Sequence, residues 1–169
     1  TSIGSFPIET VKVMARIIER TEEVALDQIA PLKHSPATKG GAITKAATEV
    51  GLTVGAKFLV AFTQSGDSAR RMSRLRSPIP MLALTPEIGT YNRLALSWGV
   101  ESMITSVVSH TDEMVMQVDS ILIESKRVKI GDLVLIVAGS PPGIPGSINA
   151  MRVHKIGDAV GGVAPAYRK

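Results

Sequence analysis

The chain has 169 residues, 44% of them apolar and 20% charged, with 15 Gly and 10 Pro, which suits a globular domain with its own core and excludes a disordered or coiled-coil chain. Its formal charge of +4 is a mild basic excess that a solvated surface accounts for, and 4% aromatic residues are too few for a platform that stacks single-stranded bases, so nucleic acid is not an expected partner. Zero cysteines exclude thiolate metal sites, a cysteine nucleophile and a disulfide framework, and fit a reducing cytosol.

The chain opens TSIGSFPIET, with neither a methionine nor the basic-then-apolar order of a signal peptide, and reads as a piece of something larger in the cytoplasm. From Pro7 the pattern becomes helical: Val11, Met14, Ile18, Val24 and Ala25 fall near one face, while Lys12, Arg16, Glu19, Arg20 and Glu23 occupy others. Pro7 suits a first turn, where its missing N–H is no loss, and Glu9 suits the positive end of the helix dipole. No strand precedes this helix, so its apolar stripe needs cover from elsewhere. Residues 31–41, PLKHSPATKGG, read as a linker or loop, and AITKAATEVGLTVG as a short helix that Gly51 or Gly55 ends.

Strands and helices then alternate: KFLVAF, a helix around SARRMSRL, PMLALT, a helix around IGTYNRLALSWG, SMITSV, a helix around TDEMVMQVDSILIES. This alternation predicts a parallel sheet with crossover helices. The last two strand segments, LVLIVAG and NAMRVHKI, are joined by a Gly/Pro loop without a helix, which favours an antiparallel final strand. The predicted fold is therefore α/β, a mixed, mainly parallel five-stranded sheet flanked by helices, with residues 1–30 partly detached. The run LVLIVAG is far too short to span a bilayer, and no membrane partner is expected.

Residues 63–68, TQSGDS, stand where the first strand turns into a helix. Such a turn points backbone N–H groups outward at the positive end of a dipole; Thr63, Ser65 and Ser68 add hydroxyl donors and Gly66 permits close backbone approach, the makings of a phosphate cradle. Ser and Gly also simply make a good turn and N-cap, and both readings stand on spacing alone. Asp67 would repel a phosphate nearby. Arg70 and Arg74 share a helix face, as suits a solvated or subunit-facing surface. The loop GSPPGIPGS at 139–147 follows a strand that ends on the same side; it is either a cover for a ligand or a long turn.

Catalytic signals are poor. His34, His110 and His154 are scattered and read as surface or capping residues, and there is no Walker A or G-x-S-x-G motif. Asp112 and Glu113 read as the acidic first turn of a helix, and Trp98 as core. By residue chemistry this is a binding domain with no catalytic or metal-binding residues.

Several stretches together resemble pyruvate kinase. TSIGSFPIETVKVMARI is similar to the segment that opens the final helix of that family's catalytic barrel. AKFLVAFTQSGDSARRMSRLRSPIPMLALTP, LALSWGVES, HTDEMV, GDLVLIVAGSPPGIPGSIN and MRVHKI follow the C-terminal domain in order. The resemblance implies a last barrel helix over residues 1–30 and a C-terminal regulatory and assembly α/β domain over residues 31–169. It implies a parent reaction, transfer of a phosphoryl group from phosphoenolpyruvate to ADP in glycolysis, whose magnesium and potassium ions and catalytic groups lie upstream of Thr1, with no cofactor in this piece. It further implies a phosphorylated effector held by Thr63, Gln64, Ser65, Gly66 and Ser68, with Gly143, Gly146 and Ser147 in the covering loop, and a homotetramer whose C-terminal domains pair. Many members carry a basic residue in the cradle where this loop has Gln64 and Asp67, which favours a nucleoside or sugar monophosphate over fructose 1,6-bisphosphate. A tetramerisation module with an empty cradle and a stand-alone phosphometabolite sensor are the alternatives.

Overall fold

The computed structural model describes residues 1–29, 37–140, 142, 144 and 146–161. It comprises two compact units, Thr1–Pro31 and Leu32–Lys169. The first is α1, Pro7–Ala25, followed by a 3-10 turn at Leu26–Gln28. Pro7 lies in its first turn with Glu9, as the sequence predicts, and no residue of α1 is buried.

The second unit is built on five strands: β1, Phe58–Phe62; β2, Met81–Thr85; β3, Val100–Ile104; β4, Leu133–Gly139; β5, Ile148–Lys155. Their order is β3-β2-β1-β4-β5. All neighbours are parallel except β4 and β5, which pair antiparallel, so the mixed sheet and its reversed last strand are as expected. The near-continuous apolar runs FLVAF and LVLIVAG lie in the middle of the sheet, where both faces are covered. Because side chains alternate along a strand, Leu59, Ala61, Ala83, Leu135 and Val137 form one core with Ala47, Met72 and Leu94, from three helices. Phe58, Val60, Leu82, Leu84 and Ile136 form the other with Val115, Val118 and Leu122. These helices are α2, Lys39–Val54; α3, Asp67–Ser73; α4, Ile88–Leu94; and α5, Thr111–Glu124. Of the described α-helices, only α5 contributes to that second core.

Two local expectations are corrected and one choice between two glycines is decided. The linker predicted for 31–41 yields its last three residues to α2, because Thr38 caps that helix, its Oγ1 accepting from the Gly41 N–H at 3.2 Å. Gly55, in the left-handed region at φ 68°, ends α2, whereas Gly51 lies within it: a Cβ there would meet Leu59 Cδ2 at 2.7 Å, so the missing side chain lets the helix approach the sheet. Trp98 is not core. The α4 helix stops four residues earlier, and Trp98 is half-buried under the Arg76 guanidinium, 4.6 Å from the ring centroid.

His154 also departs from its surface reading. It is 2% exposed, and its Nε2 lies 2.8 Å from Oδ1 of Asp119, itself 2% exposed. The other carboxylate oxygen accepts from the Gly157 N–H at 3.1 Å. This pair fastens α5 to β5 and to the turn after it. His34 lies outside the described residues. His110 is the N-cap residue of α5, and Glu113 in its first turn accepts from the N–H groups of Ser109 and His110 at 2.7 and 3.4 Å. The Ser109 N–H is the main reason that the Glu113 carboxyl is held below its ordinary value.

Candidate functional site

The chain leaves β1 through α3 toward β2 and leaves β4 toward β5, so the two adjacent strands send their connections in opposite directions. A crevice opens at such a switch point, outside the carboxyl ends of the strands. Here it is a cavity of about 310 Å³ within the second unit. Thr63, Gln64, Ser65 and Ser68 line it from the loop after β1, and Gly146 and Ser147 from the loop after β4. Gly143 lies outside the described residues. The structure thus brings together two loops that are some eighty residues apart in sequence.

Gly66 does not line the cavity but shapes the loop that does. It sits at φ +80°, and a Cβ there would come within 2.9 Å of Arg70 Nη1 and 3.2 Å of Thr90 Cγ2. Its N–H donates to Thr63 Oγ1 at 2.9 Å. Outside the loop, the Thr90 hydroxyl donates to the Gln64 carbonyl at 2.6 Å and Arg70 Nη1 to the Ser65 carbonyl at 3.0 Å. Two carbonyl oxygens that would repel an anion are thereby engaged by donors from α4 and α3, and the loop is fixed before any ligand arrives.

Of the three loop hydroxyls, those of Thr63 and Ser65 accept from the N–H groups of Gly66 and Asp67 at 2.9 and 3.4 Å, which leaves Ser68. It is 3% exposed, it lines the cavity, and its hydroxyl has no hydrogen-bond partner among the described residues. Its oxygen is not among the fully buried unpaired atoms, of which the described residues show Gln117 Oε1, so it is accessible from the cavity and open to a partner there. At seven residues α3 is too short for its dipole to carry the argument, and the donor capacity of the loop rests on its hydroxyls and N–H groups.

Asp67 is not a bare charge in the loop. Its Oδ2 accepts from Arg71 Nε at 2.6 Å, one helical turn on, and Arg71 Nη1 also donates to Thr38 Oγ1 at 3.1 Å. Arg71 lines the cavity with Thr38, Lys39 and Gly40 from the start of α2. Sequence reasoning missed this group, since it lies about twenty-five residues before the loop and carries no motif of its own. Phe62, Leu84, Val107, Val108 and Met114 add apolar lining, beside Thr105 and Ser106. The cavity therefore suits a ligand with an anionic end and a less polar body.

A family model described as "Pyruvate kinase, alpha/beta domain" matches residues 41–154. Pyruvate kinases of Mycobacterium tuberculosis (strain ATCC 25618 / H37Rv) and Mycobacterium intracellulare are 48% and 46% identical to the chain over 158 residues, 94% of its length and 33% of theirs. The chain thus spans about a third of the curated relatives it matches. Among solved structures, the Cryptosporidium parvum pyruvate kinase in complex with ADP superimposes with a TM-score of 0.70 at 25% identity, covering 90% of this chain and 32% of that one. A further pyruvate kinase structure from the same organism gives a TM-score of 0.74 at 23% identity, covering 90% of this chain and 31% of that one, which supports the fold.

Proposed function

Because the chain belongs to the pyruvate kinase family, with that family's α/β domain at residues 41–154, we propose that it is the regulatory and assembly portion of an enzyme that transfers a phosphoryl group from phosphoenolpyruvate to ADP. In this reading the second unit binds a phosphorylated metabolite in the cavity between β1 and β4. The observation that carries it is Ser68, a buried residue that lines the cavity and whose hydroxyl has no protein partner among the described residues, beside Thr63 and Ser65 on a loop held by Thr90 and Arg70.

The chemistry of the parent reaction is assigned to the part of the enzyme that precedes α1, together with its magnesium and potassium. Among the described residues no group of three or more His, Asp or Glu side chains is placed to hold a metal ion. No helix among them is long and apolar enough to cross a membrane; a cytoplasmic location is part of the proposal. The apolar stripe of α1 is assigned to the catalytic barrel, and pairing of second units between subunits to a homotetramer. A ligand shifts such an assembly only by its differential affinity for two arrangements.

Isothermal titration of the chain with AMP, glucose 6-phosphate, ribose 5-phosphate and fructose 1,6-bisphosphate tests the site. Saturable binding of a phosphate monoester, lost when Ser65→Ala and Ser68→Ala are combined, is the expected outcome. Binding that survives the double substitution would move the ligand elsewhere, and no binding by the folded chain or by its tetrameric parent would leave assembly as the role of the domain.

A further inference from the structure

The loop at 63–68 carries a phosphate-binding shape but no cation, and the charge must come from outside it. Among the described residues three charged side chains line the cavity: Lys39, Arg71 and Asp67. Two cations against one anion leave a formal charge of +1, and Arg71 is already committed to Asp67 at 2.6 Å. The uncommitted charge is that of Lys39, which makes no ion pair among the described residues.

Lys39 is the first residue of α2, which is 16 residues long. Thr38 Oγ1 takes up the Gly41 N–H, and the Thr38 carbonyl takes up the Ala42 N–H at 2.9 Å. The N–H groups of Lys39 and Gly40 have no partner within the helix, and Lys39 and Gly40 both line the cavity. A helix end of this length attracts an anion, and Ser68, nine-tenths buried, lining the same cavity and unpartnered among the described residues, independently points to a ligand there. Arg71 already links the two elements, with Nε on Asp67 of α3 and Nη1 on the cap residue of α2.

We infer that the anionic group of the ligand is held between the hydroxyls of the 63–68 loop and the N-terminus of α2, with Lys39 as the specificity-determining cation and Asp67 as a counterweight to it. The inference rests on the phosphate-binding reading above and deepens it. One unspent positive charge matches one phosphate monoester better than a bisphosphate. Asp67 sets this limit, because it spends the second cation.

The test uses inorganic phosphate as probe, titrated into the chain and followed by amide NMR, with chloride as control and a melting curve for each variant. Phosphate is expected to shift the amide signals of Lys39 and Gly40 together with those of Ser65 and Ser68. Lys39→Gln should weaken binding about tenfold, the size of one charged contact. Asp67→Asn should act in the opposite sense, tightening phosphate and admitting a bisphosphate, which a merely structural role for Asp67 would not produce. Binding that shifts only the loop signals and is indifferent to Lys39→Gln, while Ser68→Ala abolishes it, overturns the inference and leaves the phosphate site standing. Failure of the folded wild-type chain to bind phosphate at all removes both.

Discussion

The helices α1 and α2 are of similar length, 19 and 16 residues, yet they use their sequences in opposite ways. The first has the stronger apolar stripe, with Val11, Met14, Ile17 and Ile18, all of which remain exposed. The second buries Gly41, Thr44, Ala47, Thr48 and Gly51, a face of small residues of mixed polarity. Periodicity therefore identifies a helix without telling how much of it is buried. Small side chains let α2 lie close to the sheet, where backbone and methyl contacts accumulate. Large ones on α1 create an apolar surface whose cover is not within its own unit.

The comparison can be broken most forcefully in the second unit, at its buried polar pair. Asp119→Ala leaves the His154 ring and the Gly157 N–H without their acceptor and should cost about 1–3 kcal/mol for each group left unpaired, read as a loss of denaturation midpoint. Next comes the close approach of α2: Gly51→Val adds atoms where a Cβ alone meets Leu59 at 2.7 Å, and should cost about 1–3 kcal/mol in the same assay. Thr38→Ala removes the cap of α2 and should cost about 1 kcal/mol. An unchanged midpoint in Gly51→Val would mean that α2 is no more firmly seated than α1.

Two smaller effects sharpen the contrast. The carboxyl of Glu113 is held below its ordinary value chiefly by the Ser109 N–H, so its contribution to the start of α5 is present above the unfolded-state value and is lost as pH falls through the lowered one. Glu113→Gln should flatten that acid limb of the stability curve, and an NMR titration of the side chain checks the direction of the shift. Smallest of all, Ile17→Ser on α1 should change the stability of the chain by less than about 0.5 kcal/mol, because it alters an exposed position. A loss comparable to that of Gly51→Val would show that α1 is covered in solution.

The five strands, their crossover helices and the reversed β5 were legible because each depends on neighbours in sequence: an apolar run makes a strand, a helix-length connection makes a parallel pair, and a Gly/Pro loop without a helix makes a turn back. The loop at 63–68 was legible for the same reason. Lys39 and Arg71 were not recognisable as cavity residues, since nothing in KGGAI or RRMS states which strand end each will face. The ion pair of Asp67 with Arg71, one helical turn on, was not read because only Arg70 and Arg74 stood out as a shared face. His154 was misread because the residue that explains it, Asp119, lies on another element, 35 positions earlier.

That pairing has a consequence for the order in which the chain can become native. Asp119 is made early, on α5, but the two groups that accept its burial, His154 and the Gly157 N–H, come 35 and 38 residues later. Until β5 is laid down, the midpoint of α5 holds a carboxylate facing an apolar sheet with no donor, and the helix gains little from docking. The last strand is thus the latch that makes the preceding helix worth folding. A chain cut after residue 147 is expected to lose the near-ultraviolet signature of packed side chains throughout the second unit, rather than shed one edge strand and keep the rest.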